Sequence, residues 1–245
     1  MARTLFISDL HLSPERPDIL RLFHDWIAGL DAGSTRALYI LGDLFEAWVG
    51  DDEDDPELLT VPASLRALAE RGVPVFTMRG NRDFLFGSGF ERASGSRLLE
   101  DPARIELQGR SVLLMHGDTL CTDDHDYQAF RARVRDPGWQ AAMLSRPLEE
   151  RRRIAAELRV QSERSTAGKR PEIMDVNPEA VAAAFRDHDV DLIIHGHTHR
   201  PAIHESVVDG RPRWRIVLGD WYDYGSVLEA DARGGFVLRR LTMPA

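Results

Sequence analysis

Cysteine is almost absent from this chain of 245 residues, which contains only Cys121. A single cysteine cannot form an intramolecular disulfide, and it cannot provide the several thiolates of a structural zinc site. The sequence therefore excludes a disulfide-stabilised scaffold. It is typical of a protein that folds in a reducing cytoplasm.

Long hydrophobic runs and an excess of positive charge are also missing. The N-terminal segment turns polar at Ser8-Asp9, too early for a secretory signal, and no segment reaches the roughly 18 apolar residues that span a bilayer. We therefore expect a protein that is soluble or lies on a membrane surface. The net charge of -9 opposes general attraction to nucleic acid, whose phosphates bind lysine and arginine. The chain also lacks the phosphate-binding loop G-x-x-x-x-G-K-[ST].

What the chain does contain is a series of short polar blocks, most of which follow an apolar, strand-like run. A hydrophobic content of 43% is enough to bury such runs in a core. Buried strands that end in polar loops gather distant side chains into one cleft. The blocks are Asp9-Leu10-His11, Gly42-Asp43, Gly80-Asn81-Arg82-Asp83, His116-Gly117-Asp118 and Gly196-His197-Thr198-His199.

The order of the segments predicts one domain over residues 1–245 that carries an insertion. Up to about residue 120, strand-like runs alternate with amphipathic segments at 18–30 and 63–71, which favours packed βα units. Residues from about 123 to 172 contain many arginines and helical patterns but no strand signal. We therefore expect a helical insertion there.

The last part of the chain returns to the first pattern. Asn177 is predicted to cap a helix that has Pro178 at its first position. The strand-like runs at 213–218 and 235–241 are expected to complete a second sheet. The acidic run at 51–55 is interpreted as a solvated loop.

The polar blocks also predict a metal site. Residues two apart in an extended segment point the same way, so Asp9 and His11 can approach one ion together, as can His197 and His199. Carboxylate, imidazole and amide ligands without sulfur suit Mn²⁺, Fe²⁺ or Zn²⁺. A site for two ions needs a bridging carboxylate, for which Asp43 is the natural candidate. Taken singly, Asp9 or Asp43 is more often a turn residue or helix cap, and His116 a hydrogen-bonded interior histidine; their combination favours the metal.

The combination D-x-H, G-D, G-N-x-D, H-G and G-H-x-H resembles the calcineurin-like metallophosphoesterase superfamily. The resemblance implies an α/β (α+β) fold in which two mixed β-sheets pack face to face, flanked by helices, with the insertion as a lid. It also implies two divalent ions. The first would be held by Asp9, His11, Asp43 and His199, and the second by Asp43, Asn81, His116 and His197. His195 falls outside this pattern and is interpreted as a packed histidine.

One position departs from the superfamily pattern. Many members have a histidine after the asparagine, which is thought to protonate the leaving alcohol, whereas this chain has Arg82. Arginine is a poor proton donor, but it can hold phosphate oxygens bidentately. Arg82 therefore points to a leaving group that needs no proton, such as the phosphate monoester released when a diphosphate is cut. The alternatives are that Arg82 only binds substrate while water supplies the proton, or that it forms a structural salt bridge with Asp83.

Longer strings are similar to one family within the superfamily, the UDP-2,3-diacylglucosamine diphosphatases of lipid A biosynthesis. They run from Ser8 to Ser13, Gly42 to Asp52, Gly80 to Leu85, His116 to Asp124, Glu172 to Pro178 and Ile194 to Pro201. That family releases UMP and 2,3-diacylglucosamine 1-phosphate by attack of water on the uridine-side phosphorus. It normally uses Mn²⁺ and works at the inner face of the cytoplasmic membrane, as a peripheral protein.

The family resemblance also assigns substrate contacts. It places Asn81, Arg82 and His116 in catalysis. It places Asn81, Arg82, Asp124, Ser162, Thr166, Lys169 and His197 against the substrate. Trp48, Phe84 and Phe130 are candidates for an acyl groove, and the basic, partly apolar segment from Arg151 to Arg170 is compatible with binding anionic lipid head groups.

Other functions stay open from the sequence. The chain could be a different metallophosphoesterase, such as a nucleotide phosphodiesterase or a phosphatase, or a non-catalytic scaffold with the same fold. A scaffold would be expected to have lost some ligands, whereas every ligand position is filled here. The sequence indicates neither a nucleic-acid partner nor an obligate protein partner.

Overall fold

The computed structural model describes residues 2–170 and 172–242, apart from the side chains of Glu163 and Thr166. The strands are β1 (Arg3–Ile7), β2 (Thr35–Leu41), β3 (Val75–Met78), β4 (Arg97–Leu99), β5 (Ala103–Leu107), β6 (Arg110–Met115), β7 (Leu192–His195), β8 (Ala202–Val208), β9 (Arg211–Val217), β10 (Gly225–Ala230) and β11 (Phe236–Leu241). The helices are α1 (Pro17–Ala28), α2 (Thr60–Glu70), α3 (Ser88–Ser94), α4 (His125–Val134), α5 (Pro137–Leu144), α6 (Leu148–Thr166) and α7 (Pro178–His188).

The strands form two mixed sheets. The six-stranded sheet has the order β11-β10-β1-β2-β3-β4. Strands β1 to β4 are parallel to one another, whereas β10 is antiparallel to both of its neighbours, β1 and β11. The five-stranded sheet has the order β5-β6-β7-β9-β8, with β6, β7 and β9 parallel. The predicted fold class is therefore confirmed. The prediction that both C-terminal strands complete the second sheet is wrong for β11, which pairs with β10 at an edge of the first sheet.

Apolar side chains form three layers around these sheets. Phe6, Leu41 and Met78 from the first sheet pack with Leu114 and Ile194 from the second, which fixes the two sheets face to face. The outer face of the first sheet is covered by α1, α2 and α3, and that of the second by α7. The arrangement follows from the sequence pattern, because parallel strands read as continuous apolar runs when both of their faces are buried.

Helix α1 illustrates how the outer layers form. Pro17 stands at its start, where a missing backbone N–H costs nothing, and Ile19, Phe23 and Ile27 recur every four residues on its buried face. In α7, the predicted cap is confirmed, since the Asn177 side chain accepts hydrogen bonds from two backbone N–H groups of the first turn.

The insertion lies between β6 and α7. It contains α4, α5 and α6, and we refer to these three helices as the lid. Within the part of the chain that the structure describes, no helix combines the length and the apolar character needed to cross a bilayer.

Candidate metal centre and its cavity

The candidate ligands come together because their loops leave the carboxyl ends of parallel strands. Asp9 follows β1, Asp43 follows β2 and Asn81 follows β3, while His116 and His197 follow β6 and β7 of the other sheet. Carboxyl ends of neighbouring parallel strands meet at one edge. Residues far apart in sequence therefore meet in a single cleft between the two sheets.

The backbone at these ligands is unusual. Five candidate ligands have positive φ angles, which residues other than glycine seldom adopt. They are Asp9 (55°), His11 (50°), Asp43 (51°), His197 (68°) and His199 (55°). Such conformations cost free energy and persist where the surrounding structure enforces them, typically at functional sites. The strained backbone turns these side chains inward at the strand ends.

The first group of ligand atoms belongs to Asp9, His11 and His199. Their ligand atoms lie within 4.8 Å of one another. Nε2 of His199 is 3.4 Å from Oδ1 of Asp9 and 3.3 Å from Nε2 of His11. Nε2 of His11 is in turn 3.9 Å from Oδ2 of Asp43.

The second group surrounds the other oxygen of Asp43. Asp9, Asp43 and His116 also place ligand atoms within 4.8 Å of one another. Nε2 of His116 is 3.7 Å from Oδ1 of Asp43 and 2.9 Å from Oδ1 of Asn81, and Nδ1 of His197 is 2.9 Å from the same amide oxygen. The two carboxylate oxygens of Asp43 thus face different groups, as a bridging ligand requires.

Glycines in the motifs make room for these side chains. A Cβ atom at Gly80 would collide with the carboxylate and backbone of Asp43, and one at Gly196 would collide with the side chains of Asp9 and Ser8. The glycine of the G-N-x-D block and that of the G-H-x-H block are therefore required by close packing around the ligands.

The donor atoms fit divalent metal ions. Oδ1 of Asp9 is buried without a hydrogen-bond partner, although Oδ2 accepts from Ser8 Oγ at 2.5 Å and from the His197 backbone at 2.9 Å. Nδ1 of His116 lies 2.9 Å from the carbonyl of Leu41, so in the neutral ring Nε2 keeps its lone pair for the centre. Unpaired oxygens and nitrogens converging without sulfur are the ligand set of a hard or borderline cation.

The pKa values of the candidate ligands reflect the carboxylates that surround them. Burial lowers the pKa of His116, but the carboxylates of Asp43, Asp118 and Asp9 outweigh it and raise that pKa to about 9. Burial, reinforced by the neighbouring His116, lowers the pKa of His197 to about 4. Burial raises the pKa of Asp9, but the neighbouring His199, together with His116 and His11, lowers it overall. Bound cations would supply the positive charge that the proton on His116 otherwise supplies.

Three carboxylates near the ligands were given no role from the sequence. Oε2 of Glu46 is 3.2 Å from Nδ1 of His11, and Oδ2 of Asp220 is 3.4 Å from Nδ1 of His199. Carboxylates behind ligating histidines fix the orientation of the ring. Asp118, which is fully buried, accepts hydrogen bonds at 2.8 Å from Tyr127 and Arg131 of α4. The G-D pairs at Gly117-Asp118 and Gly219-Asp220 carried a signal that could have indicated two of them.

The metal centre opens into a cavity of about 820 Å³ between the strand-end loops and the lid. Its walls include the candidate substrate residues Asn81, Arg82, Asp124, Ser162 and Lys169, together with Trp48, Phe84 and Phe130. Nζ of Lys169 is 2.6 Å from Oδ1 of Asp124. His197 lies at the metal centre, beside Asn81. The side chain of Thr166 is outside the described part of the chain.

Arg82 and Asp83 play separate roles in the structure. Asp83 is fully buried and accepts hydrogen bonds from the backbone N–H groups of Asp43, Leu44 and Gly80. Among the described residues there is no ion pair between Arg82 and Asp83, so the salt-bridge alternative for Arg82 is wrong. The Arg82 side chain instead lines the cavity, where its Nε is buried without a hydrogen-bond partner.

Two other polar residues are not part of the centre. His195 is fully buried between the Gly196 carbonyl and the Arg215 guanidinium, at 2.8 and 3.0 Å, and burial lowers its pKa to about 3. It is a packed neutral histidine, as the sequence predicted. Burial raises the pKa of the Cys121 thiol to about 12, so this group stays protonated and is a poor nucleophile.

The interpretation of residues 51–55 as a merely solvated loop is incomplete: Asp51, Asp52 and Asp54 are exposed, but Glu53 is buried and the run is held by specific contacts. Asp52 and Glu53 form ion pairs with Arg151 and Arg152 of α6, and Asp51 accepts hydrogen bonds from Gly87 and Gly89 at 3.0 and 2.7 Å. The same contacts reduce the positive charge that the lid can offer to lipid head groups, because much of its arginine is already paired with carboxylates.

Comparison with known proteins agrees with this geometry. The family model described as calcineurin-like phosphoesterase matches residues 2–201. A protein from Cellvibrio japonicus named UDP-2,3-diacylglucosamine hydrolase is 52% identical over 231 residues, which cover 94% of this chain and 96% of that protein. A protein of the same name from Klebsiella pneumoniae is 51% identical over 226 residues, covering 92% and 94%.

A solved structure shares the fold at much lower sequence similarity. A dimetal phosphatase from Danio rerio superposes with a TM-score of 0.51 at 15% identity, covering 99% of both chains. At this identity the match shows the common fold alone.

Proposed function

The chain belongs to the calcineurin-like phosphoesterase family, and from that premise we propose that it hydrolyses the diphosphate of UDP-2,3-diacylglucosamine in lipid A biosynthesis. The products are UMP and 2,3-diacylglucosamine 1-phosphate. The names of relatives about half identical over nearly the whole chain support this substrate.

The observation that carries the proposal is the composition of the cavity. Its lining includes the candidate ligands His11 and Asn81 together with Arg82, which suit a diphosphate. The same cavity is lined by apolar side chains, among them Trp48, Phe84, Phe130 and Met143. A phosphopeptide or a plain dinucleotide would leave much of this apolar wall facing water, whereas acyl chains would cover it.

The chain's residues have distinct roles in the proposed reaction. Asp9, His11, Asp43 and His199 would hold one divalent ion, and Asp43, Asn81, His116 and His197 the other. Such ions polarise phosphoryl oxygens and lower the pKa of a nearby water. The backbone N–H of Arg82 donates to Oδ1 of Asp43 at 2.8 Å and orients the shared carboxylate.

Arg82 is placed to bind the diphosphate itself. Its guanidinium lines the cavity and would donate to a phosphate oxygen there, stabilising the negative charge that develops. The departing sugar 1-phosphate has a second pKa of about 6 and so leaves without a proton. This accounts for an arginine at a position where other members have a histidine.

The identity of the metals and the place of action are further parts of the proposal. Two Mn²⁺ ions suit the oxygen and nitrogen ligands. We also propose peripheral binding at the cytoplasmic face of the inner membrane. Exposed Leu144 and Val160, 44% and 45% accessible, and exposed Arg164 on the lid support this binding.

Product identification tests the proposed function directly. The purified protein with Mn²⁺ is incubated with UDP-2,3-diacylglucosamine, and we expect mass spectrometry to detect UMP and the diacylated sugar 1-phosphate. Water labelled with ¹⁸O should place the label in UMP if the uridine-side phosphorus is attacked. Dinucleotide and phosphopeptide substrates serve as competitors; faster turnover of either would contradict the proposal.

A further inference from the structure

Helix α6 is attached to the protein in an unusual way. Among its described side chains, the only buried one is Arg151, which is 2% exposed. Helices are normally held by an apolar face, and a buried charge is unfavourable unless it is fully paired. Ile154 packs against the core but is only partly buried. The attachment at the base of α6 therefore depends largely on what pairs with Arg151.

The Arg151 guanidinium joins three segments of the chain. Nε donates to the carbonyl of Arg146 at 3.0 Å, in the turn that precedes α6. Nη1 donates to the carbonyl of Val49 and to Oδ1 of Asp52, both at 2.7 Å, and Nη2 donates to Oδ2 of Asp52. A planar guanidinium suits this paired contact with a carboxylate, which lysine cannot reproduce.

Neighbouring residues are adapted to this contact. Gly50 has a φ of 146°, and a Cβ atom there would collide with Nη1 of Arg151. Arg152 pairs with Glu53, which is 7% exposed. We call Arg151, Arg152, Asp52 and Glu53 the ionic latch.

The latch fixes two walls of the cavity relative to each other. On one side, Ala155, Ala156 and Leu158 of α6 line the cavity within two turns of Arg151. On the other side, Trp48 and Val49 line it, and Arg151 bonds directly to the Val49 carbonyl. Any change in the latch therefore changes the width of the apolar part of the cavity.

We propose that Arg151 is a positioning residue that sets the lid over the acyl chains and thereby determines the preference for long-chain substrates. This inference rests on the proposed function. Within the described residues, Arg151 bonds to the carbonyls of Arg146 and Val49 and to the carboxylate of Asp52, none of which is a candidate metal ligand. Its effect is therefore exerted on substrate binding and not on the bond-breaking step.

The test compares Arg151→Met with Arg153→Met in the Mn²⁺-loaded protein. Arg153 is a matched control on the same helix, because it is 61% exposed and pairs with Glu157 one turn away. The substrates are UDP-2,3-diacylglucosamine with long acyl chains and its diacetyl analogue. We expect R151M to raise KM for the long-chain substrate at least tenfold, to change KM for the diacetyl analogue less than twofold, and to leave kcat for both within twofold. R153M should change neither.

A second variant, Asp52→Asn, keeps the test decisive if R151M fails to fold. A second measurement, amide hydrogen exchange, keeps it decisive if the protein shows no activity. Asp52→Asn removes the latch charge at a side chain that is 64% exposed, and we expect a smaller rise in the same KM. Amide hydrogen exchange should accelerate in α6 of R151M while exchange in β1 to β3 stays unchanged. Equal KM changes for both substrates, or unchanged exchange in α6, would overturn the proposal. Absence of UMP release by the unaltered protein would instead contradict the proposed function, and the exchange measurement would still decide on the latch.

Discussion

The metal centre and the lid are built on different physical principles. The candidate ligands of the metal centre lie on loops at the ends of buried parallel strands, and five of them are held at positive φ by the packing around them. Helix α6 of the lid buries no described apolar side chain fully and depends on the ion pairs of Arg151 and Arg152. The centre is thus fixed by the fold, whereas α6 is attached at its base by a few charges beside the partly buried Ile154, and the lid's fully buried apolar contacts come from Val134 of α4 and Met143 of α5.

This difference predicts where substitutions act on chemistry and where they act on substrate binding. Changes at the ligands should abolish turnover without loss of the fold, because the strands that carry the ligands are held by the apolar layers. Changes at residues that connect the centre to the lid should have graded effects. The predictions below run from the largest expected effect to the smallest.

Asp43→Ala should abolish turnover, because it removes the carboxylate that faces both groups of ligand atoms. His116→Ala should do the same. The far-ultraviolet circular dichroism spectrum should be retained, since the sheets do not depend on these side chains. Asp25→Ala, at an exposed position on α1, is the control. Measurable turnover in D43A would contradict its role as the bridging ligand.

Arg82→Ala should lower kcat by about 10²–10³-fold, the usual effect of losing one electrostatic donor to the transition state. Its Nε is buried in the cavity wall without a partner, so little folding stability should be lost. Steady-state kinetics with UDP-2,3-diacylglucosamine provide the measurement. A variant that changes KM alone would show that Arg82 binds substrate without stabilising the developing charge.

Glu46→Gln should weaken binding of Mn²⁺ about 10–100-fold, the range found for residues that orient a metal ligand. Glu46 contacts His11 of the centre through one oxygen and Arg159 of the lid through the other. Calorimetric titration of the metal-free protein is the measurement, and Glu70→Gln on α2 is the control. Equal affinities in E46Q and E70Q would show that Glu46 does not orient His11 for metal binding.

Cys121 gives the smallest effect and probes the junction between β6 and the lid. Burial raises its pKa to about 12, so the folded protein keeps the thiol neutral while an unfolded thiol ionises above its ordinary pKa of about 8.5. The resulting stability is present below that ordinary pKa and is lost as the pH rises toward 12. Between pH 8 and 10 the unaltered protein should lose about 2 kcal/mol relative to Cys121→Ala. Urea unfolding at both pH values measures this difference, and a pH-independent difference would contradict it.

Much of the fold was predictable because local patterns and tertiary packing agree. The apolar runs before Asp9, Asp43, Asn81 and His116 became buried strands, as continuous runs do in parallel sheets. Helix α5 was missed because its Pro-Gly start is typical of a turn, although Asp136 caps it by accepting from Trp139 N–H. Strand β10 was missed; it lies between β11 and β1, and β1 is at the other end of the chain.

The acidic run was misread for a related reason. The run at 51–55 and the arginines of α6 are separated by about one hundred positions, and each segment by itself is typical of a solvated surface. Only the return of the chain over the strand ends places Asp52 beside Arg151. Long-range charge pairing leaves no periodic signal in the sequence, so local patterns could not indicate it.

The sequence by itself determined the chemistry of this protein, because ligand types, their spacing of two and the strand-like runs before them follow from local residue identity. It also determined that an arginine stands where a proton donor is common. The tertiary structure alone decided which carboxylates support the histidines, that β11 joins the first sheet, and that Arg151 attaches the base of α6. Those features depend on contacts between distant segments, which packing of the whole chain creates.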